Sequence, residues 1–273
     1  MKNKTFEALI RATSFLSLSL HDILEKKLEV KRAARVGTVL FYTGASPGSM
    51  LLQQLGQYIL QNQQKDGGWC DVEETMWALA YLKHYKNKYG NQLSKGLAWL
   101  QSERHKNGGW GYSFRDLSRV PLTGLMIHLL PEMADEKAIS WLNEAATYEL
   151  SNQPVLTYKL AIPLLAMSRH ASLLGNKDNR QKLLARLFSE QNNDGGFGPW
   201  KEHPVGSEPW STAFAVLCLC VYLPGSPALQ KAVNWLVKQQ LPDGSWAYHY
   251  LDEGSSLACW ALAEALPLIT DND

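Results

Sequence analysis

The stretch KAVNWLVKQQLPDGSW at 231–246 decides the fold, because its pattern recurs along the chain. In each copy a polar residue stands three positions before an Asp-Gly or Asn-Gly pair, and an aromatic residue follows the turn. The other copies are QNQQKDGGW at 61–69, SERHKNGGW at 102–110 and SEQNNDGGF at 189–197. Glycine can adopt the left-handed conformation that ends a helix, so each copy predicts the end of a helix and a turn.

A column of large residues upstream of these turns gives the period of the repeat. Trp99, Trp141 and Trp235 each follow a lysine by four positions and precede a leucine. Tyr58 and Arg186 occupy the same column in other copies, so successive intervals are 41, 42, 45 and 49 residues. A near-constant period of this size is typical of stacked helical hairpins or of a propeller.

Hydrophobic spacing favours helices over propeller strands. In LLQQLGQYILQNQQ at 51–64 the apolar residues recur every three or four positions, which is helical spacing and not alternation. The segment after each turn is apolar almost all round, as expected for an inner helix that is packed on both sides. These inner segments are 75–82, 123–130, 157–165, 212–223 and 256–266.

The number of predicted helices indicates a closed ring. Two more are predicted at 5–24 and 28–42, which gives about twelve in all. Six inner and six outer helices close on themselves, so we expect one domain over 1–273, an all-α closed (α/α)6 barrel. Its repeats are clearest in 50–268. An open superhelix is the competing geometry.

Composition excludes several functions. The net charge is +1, so the chain lacks the excess of basic residues that proteins use to bind nucleic acid. Glu7 and Arg11 interrupt the apolar N-terminal run, so we expect no signal peptide and a cytoplasmic protein, with a peripheral membrane contact left open. The four cysteines, three of them in apolar runs, are expected to be small buried side chains and not a disulfide framework or a zinc site.

The copy at 231–246 resembles the glutamine–tryptophan repeat of squalene–hopene and oxidosqualene cyclases. The resemblance covers 50–268 and implies an α/α barrel of the terpene-cyclase and protein-prenyltransferase kind. It implies structural roles for the glutamine, which caps a helix end, and for the aromatic residue, which stacks between outer helices. No Asp-x-Cys pair of the zinc-dependent prenyltransferases occurs in the chain, which disfavours that activity.

The run Asp71-Val72-Glu73-Glu74-Thr75 resembles the acidic motif of class II cyclases, Asp-x-Asp-Asp-Thr, whose middle aspartic acid protonates an alkene or epoxide. The resemblance implies that Glu73 is the acid and that Asp71 and Glu74 are its neighbours. Clustered carboxyls beside an apolar cavity cannot all ionise, so one keeps its proton. The alternative is a capping box, in which Asp71 and Glu74 only begin a helix.

The loops between the turns and the inner helices are long and aromatic, so we expect them to gather at one mouth of the barrel. Arg115 and Arg119 are candidates for holding a diphosphate. Candidates for contact with an apolar substrate are Trp77, Trp210, Tyr250, His203 and His249.

The sequence therefore predicts a small enzyme that cyclises or isomerises an isoprenoid or similar apolar substrate by acid catalysis. No cofactor is expected, and Mg²⁺ enters only if the substrate is a diphosphate. A second protomer or partner domain is left open, because familiar class II cyclases set their site between two helical domains. The alternative is a non-catalytic module that binds a peptide or protein at the mouth. A deep apolar cavity with Glu73 at its wall would favour the enzyme.

Overall fold

The computed structural model describes residues 1–170 and 177–270, and the regular structure within these ranges is helical. The described ranges contain twelve α-helices, the number that the sequence predicts. They are α1 (Lys2–Glu25), α2 (Val30–Tyr42), α3 (Met50–Gln61), α4 (Val72–Leu82), α5 (Lys86–Ser102), α6 (Val120–Leu129), α7 (Glu136–Glu149), α8 (Thr157–Arg169), α9 (Lys177–Ser189), α10 (Pro209–Tyr222), α11 (Pro227–Gln239) and α12 (Leu251–Ala265). None of these described helices is long and apolar enough to cross a membrane.

The even-numbered helices form an inner ring. α2 packs against α4, and the contacts continue through α6, α8 and α10 to α12. α12 packs in turn against α2, which closes the ring. The odd-numbered helices lie outside and pack against the inner ones. The chain is therefore the closed (α/α)6 barrel that the sequence predicts, and not an open superhelix.

The hydrophobic core follows from this layering. An inner helix is covered on both sides, so α4 is buried continuously from Glu74 to Leu82. Cys218 and Cys259 are buried within the core, as predicted, whereas Cys220 is half-buried and Cys70 is exposed. All four cysteines are free thiols.

The repeat turn links each outer helix to the next outer helix. Gln63 follows α3 and donates from Nε2 to the carbonyl oxygens of Gly67 at 2.8 Å and Gln92, in α5, at 3.0 Å. Gln191 and Gln240 each make the same pair of bonds in their own copies. These contacts join the turn to the backbone of the next outer helix. The glutamine thus has the structural role that the resemblance implies.

The two glycines of the turn have different reasons to be glycine. Gly67 has φ +101°, in the left-handed region that other residues rarely adopt. Gly68 lies against the indole of Trp99, where a Cβ would be 2.4 Å from the ring atoms. Trp141 and Trp235 approach the matching glycines of their copies in the same way. The predicted column of large residues is therefore a packing feature.

Helix α1 supplies a further copy that the sequence pattern did not reveal. The carbonyl of Arg11 lies against Gly244, as the carbonyl of Lys95 lies against Gly67. Gln240 donates from Nε2 to the carbonyl oxygen of Ala8 at 2.8 Å, so the last turn is joined to the first helix. Arginine in place of lysine, and Phe15 in place of tryptophan four positions later, concealed this copy. The outer ring closes through these contacts.

Candidate functional site

The acidic run begins α4, and two of its members hold the helix start. Asp71 is the N-cap, and its Oδ1 accepts a hydrogen bond from the backbone N–H of Glu74 at 2.7 Å. The Glu74 carboxylate is buried and accepts from the backbone N–H groups of Cys70 at 3.3 Å and Lys31 at 3.0 Å. Glu74 therefore ties the start of α4 to the start of α2. The helix-start interpretation describes Asp71 and Glu74 well.

Glu73 has a different environment. Its side chain is 23% exposed, and its carboxylate makes no hydrogen bond within the described part of the chain. Burial raises the pKa of this carboxyl. The cations Lys31 and Arg35 oppose that shift, and the carboxylates Asp71 and Glu253 add to it. Glu73 is thus the member of the run whose carboxylate accepts no hydrogen bond from the backbone of the described residues.

Ring closure brings charged residues of α2 and α12 towards this carboxyl. Arg35 is 5% exposed, and its Nη1 donates to Glu253 Oε1 at 3.0 Å. Arg32 donates from Nη2 to Asp252 Oδ1 at 2.5 Å and from Nε to the other oxygen at 3.2 Å. The sequence prediction missed Arg32, Arg35 and Glu253. The run KRAAR at 31–35 carried a signal, because the helix dipole disfavours cations in the first turn of a helix.

An apolar pocket of about 570 Å³ opens at the starts of α8, α10 and α12. Its aromatic wall centres on Trp210, whose ring lies edge-on to Tyr158 and Phe214 at 4.9 Å and parallel to Tyr248 at 6.3 Å. The lining consists of Tyr158, Pro199, His203, Val205, Glu208, Trp210, Ser211, Ala247, Tyr248 and His249. No lysine or arginine belongs to this lining in the described structure. The lining is therefore mainly aromatic and apolar, with Glu208 as its carboxylate.

Polar groups occupy the edge of this pocket. Glu208 caps α10, and its carboxylate accepts from the backbone N–H groups of Ser211 at 2.7 Å and Trp210 at 2.8 Å. Burial raises the pKa of Glu208. His203 lies edge-on to Trp200, and His249 lies edge-on to Tyr248. Three of the residues predicted to contact a substrate, Trp210, His203 and His249, thus meet at one pocket.

The other predicted residues lie elsewhere. Trp77 is 2% exposed within the core, one turn after Glu73 on the same face of α4. Tyr250 is 54% exposed at the start of α12, where its ring covers the Arg32 guanidinium at 4.7 Å. Arg115 is exposed, with its guanidinium over Phe114.

Arg119 is already paired. It donates from Nε to Asp116 Oδ2 at 2.6 Å and from Nη2 to Oδ1 at 3.0 Å, and this pairing lowers the pKa of Asp116. Neither Arg115 nor Arg119 lines the apolar pocket. Within the described ranges, no group of three or more His, Cys, Asp or Glu side chains is placed to hold a metal ion.

Two charged residues, Arg35 and Glu253, lie near both Glu73 and the pocket. Glu73 is not part of the pocket lining, so the simplest form of the predicted arrangement is absent. Arg35 and Glu253 interact electrostatically with both Glu73 and Tyr248, which is an aromatic wall of the pocket. Burial raises the pKa of Tyr248. The Arg35–Glu253 pair is therefore near both the half-buried Glu73 carboxyl and the aromatic pocket.

Solved structures share this architecture. The type II terpene cyclase MstE from Scytonema matches with a TM-score of 0.76 and 17% identity, over 98% of this chain and 99% of that chain. The ent-copalyl diphosphate synthase from Streptomyces platensis matches with a TM-score of 0.61 and 17% identity, over 87% of this chain and 50% of that one. At these identities the likeness shows the fold.

Sequence relatives are longer proteins. Drimenyl diphosphate synthase from Streptomyces showdoensis is 24% identical over 245 residues, which cover 80% of this chain and 45% of the relative. The terpene cyclase–glycosyl transferase fusion protein fsoA from Humicola fuscoatra is 25% identical over 83% of this chain and 21% of its own length. The chain thus spans less than half of each. The squalene–hopene cyclase C-terminal domain matches residues 70–256, most of the chain. With the repeat turns, the closed barrel and the acidic start of α4, this match shows that the chain belongs to the squalene–hopene cyclase C-terminal domain family.

Proposed function

We propose that this chain cyclises or isomerises an uncharged isoprenoid by acid catalysis, with Glu73 as the proton donor. The observation that carries the proposal is the position of Glu73. It stands at the start of an inner helix, mostly buried and without a hydrogen bond, with a raised pKa. The carboxylates of Asp71 and Glu74, by contrast, accept hydrogen bonds from backbone N–H groups. Burial raises the pKa of this carboxyl and so favours its protonated form, the form that can give a proton to a weak base.

The chemistry balances without an external reductant or oxidant. Glu73 transfers its proton to one carbon of an isoprenoid double bond, and the cation formed is attacked by the next double bond. Loss of a proton from carbon ends the sequence, so one proton enters and one leaves. The rings of Trp210, Tyr158 and Tyr248 present electron-rich faces that stabilise a nearby cation. Asp71 and Glu74 hold the helix from which the acid projects.

The charges at the mouth favour a substrate without a diphosphate. A diphosphate needs unpaired cations or a bound metal ion to offset its charge. Arg32, Arg35 and Arg119 are each paired with a carboxylate. Arg115 makes no ion pair within the described residues, but it is exposed and does not line the pocket. The aromatic pocket offers hydroxyl, imidazole and carboxyl groups instead, which suit a neutral polar end such as an alcohol or a phenol. Mg²⁺ has no role with such a substrate.

The extent of the structural match supports a site within one barrel. The likeness to MstE covers almost the whole of both chains, and MstE variants have been solved with geranylgeranyl dihydroxybenzoate and with merosterolic acid A. A second protomer or partner domain is therefore not part of the proposal. A peripheral contact with a membrane and a cytoplasmic location are compatible with it.

The test compares polyprenyl alcohols and phenols with the matching diphosphates, each incubated in D2O and analysed by gas chromatography–mass spectrometry. We expect cyclic products from the neutral compounds, with one deuterium at the protonated carbon and no dependence on Mg²⁺. Glu73→Gln should abolish product while the protein still melts cooperatively. Glu136→Gln, at an exposed glutamate in the first turn of the outer helix α7, is the matched control.

Two results would contradict the proposal. Turnover that survives in Glu73→Gln would remove the acid role, and turnover of the diphosphates alone would overturn the substrate class. Absence of product from every compound, together with tight binding of a peptide at the mouth, would favour the non-catalytic module.

A further inference from the structure

Lys31 faces the acidic run with both its backbone and its side chain. It lies in the first turn of α2, and its backbone N–H donates to Glu74 Oε2 at 3.0 Å. Its Nζ lies 3.8 Å from Glu73 Oε2, and the two side chains are 30% and 23% exposed. The helix dipole disfavours a cation at this position of α2, so the helix itself gives no reason for a lysine.

The groups that face Glu73 come from several elements. Lys31 and Arg35 approach from α2, Asp71 precedes it on α4, and Glu253 approaches from α12. Tyr112, in the segment before α6, also interacts with the carboxyl. Arg35 is engaged by the carboxylates of α12. In the described structure, Glu73 is the only carboxylate within 4.0 Å of the Lys31 ammonium.

This pairing answers a problem in the chemistry. An alkene is a very weak base, so its proton donor must be strongly acidic and must still carry its proton at working pH. Burial and the neighbouring carboxylates raise the pKa of Glu73, which favours its protonated form but also makes it a weaker acid. An ammonium group beside the carboxyl stabilises the carboxylate that proton transfer leaves behind.

We propose that Lys31 is a positioning residue that strengthens Glu73 as an acid by pairing with the carboxylate formed on proton transfer. The inference rests on the proposed function of Glu73. It predicts that removing the positive charge of Lys31 changes the kcat–pH profile in two opposite ways. The alkaline limb of the kcat–pH profile moves up, because Glu73 keeps its proton to higher pH. The plateau below that limb falls, because the protonated acid is weaker.

The experiment is the pH profile of Lys31→Met. This substitution leaves the backbone N–H bond to Glu74 in place, since it changes only the side chain, where an uncharged thioether of similar shape replaces the ammonium-bearing chain. We expect the limb to rise by about one pH unit, the lower end of the range for a cation within 4–6 Å, because the pair is partly exposed. The plateau should fall by roughly threefold, as expected when about half of the acidity change appears in the rate. A purely structural role would not move the limb.

Two variants serve as controls. Lys31→Arg keeps the positive charge and should keep the limb close to that of the unchanged protein. Lys65→Met removes an exposed lysine from the repeat turn after α3 and should change neither limb nor plateau. If Lys31→Met fails to melt cooperatively, Lys31→Gln, a more polar replacement, takes its place.

A second measurement does not depend on turnover. Glutamate labelled with ¹³C at Cδ allows the Glu73 carboxyl to be titrated by NMR, with the signal assigned by its loss in Glu73→Gln. In Lys31→Met the midpoint should rise by the same amount as the kinetic limb. If Glu73→Gln is inactive but Lys31→Met moves neither midpoint nor limb, the inference about Lys31 is wrong and the acid role stands. If the midpoint moves while Glu73→Gln stays active, the proposed function fails and the electrostatic pairing remains.

Discussion

Gly68→Ala tests whether the repeat packs through contact between glycine and tryptophan. The backbone of Gly68 lies outside the left-handed region, so alanine is conformationally allowed there. A Cβ would, however, lie 2.4 Å from Cδ2 and Cε2 of Trp99. Carbon atoms in contact normally stand about 3.5–4.0 Å apart, so the overlap exceeds about 1 Å. Trp99 cannot turn away freely, because its Nε1 donates to Asp66 Oδ2 at 3.1 Å.

The expected cost follows from this overlap. Overpacking a well-packed site destabilises by about 1–3 kcal/mol. For a domain of this size, a loss of that order lowers the melting temperature by roughly 2–5 °C. Gly90→Ala is the matched control, because a Cβ at Gly90 in α5 meets no atom within 4 Å. That change should be neutral or stabilise the helix by about 0.5–1 kcal/mol.

The assay is guanidinium chloride unfolding followed by circular dichroism, with thermal melts as a second measure. A double-mutant cycle then isolates the contact. In a Trp99→Ala background the added methyl group enters the space left by the indole, so Gly68→Ala should cost almost nothing. The reasoning is refuted if Gly68→Ala costs the same in both backgrounds, or if it is as harmless as Gly90→Ala.

Two further predictions concern ring closure and pH. Gln240→Ala removes the bond from Nε2 to the Ala8 carbonyl oxygen and the bonds that Oε1 accepts from Arg11, which join the last turn to α1, so it should destabilise by about 1–2 kcal/mol. Gln53→Ala, which loses one local bond, should be near neutral in the same unfolding assay. Equal losses of stability in the two variants would mean that the contacts between the last turn and α1 do not stabilise the folded state. Burial lowers the pKa of His128 to about 4, so the folded state resists protonation that the unfolded state accepts. The contribution of His128 to the free energy of unfolding is complete above about pH 6.5 and falls by about 2 kcal/mol on going to pH 5. His128→Gln should remove this part of the pH dependence of stability. A pH profile of stability that is unchanged in the variant would contradict the prediction.

Local patterns were sufficient to predict the fold and the helix start at the acidic run. The turn glycines and the periodic apolar residues act over a few positions, so the sequence displays them directly. Asp71 as an N-cap follows from the same local logic. The copy in α1 escaped notice because arginine and phenylalanine replace lysine and tryptophan in its column.

The sequence by itself determined the repeat, the inner and outer helices, the family, and the position of the acidic run at the start of an inner helix. Only the tertiary structure decided which side chains meet Glu73. Lys31 precedes Glu73 by more than forty positions, and the Arg32–Asp252 pair spans 220 positions. The first pair forms where α4 packs against α2, and the second forms where α12 packs against α2 and closes the ring. Periodicity records which face of a helix is buried, but it carries no information on which distant helix lies opposite that face.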